Sequence, residues 1–107
     1  MEREWWKETV DCLFNHGKIS EEDRGNLIEP TIFVTAEDSF ECMGGTAAFS
    51  DGCDLYFSDW VFDNPDMAFV FKHEFTHCIE SQVKGYTSHN SDWWFTNGAG
   101  LRASICQ

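Results

Sequence analysis

Two histidines and a glutamate stand in the order His73-Glu74-Phe75-Thr76-His77, and their types and spacing suggest a reaction. On an α-helix, residues four apart lie one above the other, so His73 and His77 can offer two imidazoles to one metal ion. Glu74 sits one step round the helix, where its carboxylate can act as general base toward a water without ligating. This is the residue set of zinc-dependent peptidases, with Zn²⁺ as the expected cofactor.

A catalytic zinc normally takes three protein ligands. The metzincin pattern requires Gly at position 80 and His at position 83, where the chain has Glu80 and Val83. No Glu follows Glu80, so a later helix cannot supply a carboxylate of that kind. His89, Asp92 and Cys106 remain downstream. His89 is the choice, because imidazole is a common zinc ligand and the intervening residues allow a helix end, a reversal and a return. Asp92 could ligate instead, hold a ligand histidine in its tautomer, or serve only as a first-turn helix acid. Glu80, about one turn beyond His77, reads either as a partner that orients a ligand or as a polar helix end. Tyr86, in the loop before His89, is a candidate to stabilise an oxyanion.

The elements that must position these groups follow from local patterns. Asp63 or Asn64 can cap a helix whose first position suits Pro65, with Asp66 at the positive end of the dipole. The run from Met67 through Phe75, Cys78, Ile79 and Val83 is apolar on nearly all sides, and Lys84-Gly85 closes it. Such a helix is buried, so its two histidines and glutamate need partners. Upstream, residues 3–16 read as an amphipathic helix with a core stripe of Trp6, Val10, Leu13 and Phe14, ended by Gly17. Ser20-Glu21-Glu22-Asp23 reads as a capped helical turn, and Thr31 to Thr35 as a strand. An acidic loop, Glu37 to Glu41, follows. Gly44-Gly45 opens a strand from Thr46 to Phe49; Ser50-Asp51-Gly52 is a turn, and Asp54 to Ser58 completes a hairpin. After Gly85, a polar loop leads to a short aromatic helix, Ser91 to Thr96, ended by Asn97-Gly98. Residues 99–107 carry no legible pattern.

The chain of 107 residues, 42% hydrophobic and 16% aromatic, is a single domain, residues 1–107, able to build a core. Net charge is −12 with only seven Lys and Arg, which argues against a main surface that grips nucleic acid or an anionic membrane. Five cysteines, odd in number and without a C-x-x-C pair, show neither a zinc ribbon nor a disulfide framework and read as small buried hydrophobes. No secretory signal and no run of membrane-spanning length is visible, so the expected location is cytoplasmic.

Three stretches together resemble the SprT-like zinc metallopeptidases, including the small minigluzincin-type members. They are Gly44-Gly45-Thr46-Ala47 through Asp54-Leu55-Tyr56-Phe57-Ser58, Phe71-Lys72-His73-Glu74-Phe75-Thr76-His77, and Ser88-His89-Asn90-Ser91-Asp92-Trp93-Trp94. The resemblance covers roughly residues 44–95. It implies an α+β, zincin-like domain: an N-terminal helix, a three-stranded antiparallel-type sheet with a hairpin, a buried metal helix and a short C-terminal helix. It also implies zinc on His73, His77 and His89, Glu74 as base, and a protein or peptide substrate. Asn90 stands after His89 where the pattern has Gly, and the acidic charge departs from the basic surface of DNA-repair members. The rival reading is a non-catalytic acidic protein with a structural zinc, docking on a basic partner or mimicking nucleic acid.

Overall fold

The central element is α3 (Ala68–Lys84), on which the N-terminal helix, one strand of each sheet and the 3-10 turn before it pack. In this computed structural model, residues 2–35, 48–62 and 64–107 are described, Phe49 by its backbone alone. The expected acidic loop and the Gly44-Gly45 strand opening lie outside the described residues, as do Thr46, Ala47 and Asp63. In chain order the remaining elements are α1 (Glu2–Asn15), α2 (Glu21–Asn26), β1 (Thr31–Thr35), β2 (Ala48–Asp51), β3 (Asp54–Ser58), a 3-10 turn (Pro65–Met67), β4 (Trp94–Thr96) and β5 (Arg102–Ser104). The fold is a small α+β arrangement with two sheets.

Local chemistry sets the helix ends. Asn64 caps the 3-10 turn by accepting the Asp66 backbone N–H, and that turn runs directly into α3. Gly85 closes α3 at φ 79°, a left-handed conformation that costs glycine little. Ser20 and Asp23 form the expected reciprocal capping box on α2.

The core sits between α1, α3 and one face of β3. Leu13, Leu55, Phe57, Val61, Phe71, Phe75, Cys78 and Ile79 are fully buried. Leu55 and Phe57 occupy alternate positions of β3, the period of two that places both on one face. Phe57 stacks on Phe71 at 4.1 Å, and Trp6 meets Phe75 edge-on at 5.6 Å. Gln82 joins α3 to the segment before β1, taking Ile28 N–H at 2.8 Å and donating to Ile28 C=O at 2.9 Å.

Three expectations are corrected. The main sheet is mixed: β3 is central, antiparallel to β2 and parallel to β1. The hairpin orientation was legible because β2 and β3 are joined by a tight turn; the orientation of β1 depends on the longer connection that carries the chain to the far edge. The hairpin turn falls at Gly52-Cys53, with Gly52 at φ 62°, so Ser50 and Asp51 are strand residues. The proposed C-terminal helix is a hairpin instead: β4 pairs with β5, and Asn97 Oδ1 accepts the Ala99 and Leu101 N–H groups in the loop between them. Aromatic and β-branched side chains at 94–96 suit a strand, and residues 102–104 supply its partner.

The cysteines are also corrected. Cys12 is bonded to Cys106 and Cys53 to Cys78, with sequence separations of 94 and 25. Spacing along the chain does not reveal such pairs, because connectivity depends on where the fold brings the sulfurs. Four of the five cysteines are therefore paired rather than the free, buried thiols expected. Among the described residues, no helix is long and apolar enough to cross a membrane. Under denaturing conditions one thiol per chain should react before reduction and five after. Replacing Cys12 and Cys106 by Ser should lower stability by about 2–5 kcal/mol, measured by urea unfolding followed by circular dichroism.

Candidate metal centre

The helical spacing brings His73 and His77 together as expected, with ring centroids 5.1 Å apart. His89 reaches the same point from the loop beyond α3. Its Nε2 lies 2.8 Å from His77 Nε2 and 3.3 Å from His73 Nε2. The three ligand atoms fall within 4.8 Å of one another and can hold a metal ion. Two nitrogens on a tetrahedral zinc at about 2.0–2.1 Å lie about 3.3 Å apart, so the cluster is near that size.

The far sides of the rings decide what the converging atoms are. His77 Nδ1 faces Glu80 Oε1 at 3.4 Å. Burial, then the neighbouring His73 and His89, push the His77 pKa down to about 3, so its ring is neutral. The contact is therefore an imidazole N–H given to a carboxylate rather than an ion pair, and it leaves Nε2 with a bare lone pair. His73 Nδ1 faces the amide oxygen of Gln107 at 3.0 Å, and burial lowers its pKa as well. Two unprotonated Nε2 atoms thus meet a third nitrogen that can donate to only one of them. A cation satisfies all three, and three neutral imidazoles are a set that zinc accepts.

Glu80 holds His77 from its far side. Wholly buried, it accepts Ser88 N–H at 2.8 Å, Ser91 Oγ–H at 3.3 Å and Trp94 Nε1–H at 3.2 Å, besides His77. The Trp94 ring packs against all three imidazoles, with centroids 4.5–4.8 Å away. Arg102 clamps the His89 carbonyl through Nε at 2.8 Å and an Nη at 2.6 Å.

Glu74 is buried on the same helix at 7% exposure. Burial raises its pKa to about 7, opposed by a hydrogen bond from Ser50, and its Oε2 has no hydrogen-bond partner among the described residues. Tyr86 stands in the loop after α3 with its side chain 55% exposed. Asp92 is not part of the histidine group: it binds Lys18 Nζ at 2.7 Å, which holds its carboxyl below the usual range.

Sequence reasoning missed Ser50, Arg102 and Gln107. Ser50 falls in the turn that the Ser50-Asp51-Gly52 pattern suggests, and nothing local marks the other two. No protein-family model, curated protein or solved structure matches the chain. Replacing Glu80 by Ala should destabilise the protein by about 3–5 kcal/mol, because it strands several buried donors. Glu80→Gln should cost less, and urea unfolding of both variants measures the difference.

Proposed function

We propose that this protein is a zinc-dependent peptidase of the SprT-like kind, acting on a protein or peptide substrate. The observation that carries this reading is a buried carboxylate with an unpartnered oxygen, Glu74, next to one of three histidines whose Nε2 atoms converge. A purely structural metal site has no need of that carboxylate.

Bound zinc supplies Lewis acidity, polarising a carbonyl and bringing the pKa of water toward neutrality. Glu74 takes the proton of the attacking water as the new C–O bond forms, and gives it to the amine nitrogen as the C–N bond breaks. A pKa raised toward neutrality suits both halves of that exchange. Tyr86 is assigned to donate a hydrogen bond to the oxyanion. Among the described residues β2 is an edge strand, and Ser50 of that strand touches Glu74. An extended peptide added along β2 would run past the base. The net charge of −12 favours substrates with basic segments. The two disulfides suit an oxidising compartment rather than the cytoplasm.

The wild-type protein should bind one zinc per chain, and His77→Ala should lose it, as read by elemental analysis after dialysis. Glu74→Gln should keep the zinc and lower cleavage of casein or a basic protein at least ~100-fold. Tyr86→Phe should lower turnover by about 10²-fold with zinc retained. A Glu74→Gln variant that cleaves normally would remove the assigned base.

A further inference from the structure

The segment that follows β5 does more than end the second sheet. Gln107 folds back so that its side-chain oxygen accepts the Ser104 backbone N–H at 2.7 Å. A backbone N–H can only donate, so the amide atom facing it is the oxygen and not the nitrogen. That same oxygen lies 3.0 Å from His73 Nδ1, which must therefore carry the proton. The Nε2 atom of His73 is left as a lone pair facing His89.

Several contacts hold Gln107 in place. Ser104 Oγ is bonded to Thr76 Oγ1 on α3 at 2.7 Å and accepts the Cys106 N–H at 3.1 Å. Cys106 is tied to Cys12 of α1. The turn carrying Gln107 is thus joined to α3 by buried hydroxyls and to α1 by a covalent bond. His77 is oriented by Glu80 from its own helix, whereas His73 is oriented from the other end of the chain.

We propose that Gln107 is a positioning residue for the metal centre: its amide oxygen selects the Nδ1–H tautomer of His73 and so keeps Nε2 available to a metal ion. The proposal rests on the three-histidine metal reading, and it adds the residue that makes the first of those histidines competent. Free imidazole side chains favour the opposite tautomer, with the proton on Nε2, so without this acceptor His73 has to be converted before it can ligate.

The test measures zinc affinity by competition with a chromophoric chelator, and the His73 tautomer by long-range ¹H–¹⁵N spectra of the metal-free protein. Circular dichroism confirms that each variant is folded. Gln107→Ala should weaken zinc binding by about 10–100-fold. Its His73 signals should move from the Nδ1–H pattern toward Nε2–H. Gln107→Glu keeps an acceptor oxygen and should retain both the wild-type tautomer and at least wild-type affinity. A Gln107→Ala protein with unchanged affinity and an unchanged tautomer overturns the proposal, while zinc uptake by wild type and its loss in His77→Ala still uphold the metal site. If wild type takes up no zinc, the metal reading fails instead, and the tautomer spectra alone decide the role of Gln107.

Discussion

A carboxylate with no exposure to solvent is tolerable only when donors surround it, and the whole candidate site is arranged around that constraint at Glu80. Its donors come from three places: His77 on its own helix, Ser88 and Ser91 in the following loop, and the Trp94 indole at the start of β4. Two of them flank His89, so the hydrogen bonds that satisfy Glu80 also fold the loop that delivers the third imidazole. The Trp94 ring, anchored by its N–H, then becomes the wall against which all three imidazoles rest. One buried charge thus sets a ring orientation, a loop conformation and an aromatic wall.

The electrostatics of the cluster follow from the same burial. Neutral imidazoles are favoured because burial lowers the pKa of His73, His77 and His89; at His89 the Glu80 charge opposes this and Arg102 adds to it. Glu74 is driven the opposite way by the same desolvation. This region holds imidazole lone pairs and a Glu74 carboxyl group that gives up its proton reluctantly. Lowered pKa values leave fewer protons on these three imidazoles to compete with a cation.

What could be read from the sequence was what depends on neighbours along the chain. The meeting of His73 and His77 was legible because helical geometry relates residues four apart without help from the rest of the fold. The capping of α2 by Ser20 and the end of α3 at Gly85 are local in the same sense. His89 followed from elimination among few remaining donors. The β4–β5 hairpin was missed because residues 102–104 show no alternation long enough to announce a strand, and the aromatic run at 93–95 suits either helix or strand. The disulfides, the Arg102 clamp and Gln107 are contacts between distant segments, and no composition or period encodes them. Asp92 is a different case: its acidic side chain invited a place near the ligands, but Lys18 draws it to the surface.

The order of the main sheet carries a consequence for how the molecule assembles. β1 and β2 are synthesised first, yet neither hydrogen-bonds to the other; each waits for β3 to slot between them. Thr31 and Asp51 both pair with Asp54, the first from 23 positions away and the second across the Gly52-Cys53 turn, so the parallel pairing closes the longer loop and costs more chain entropy.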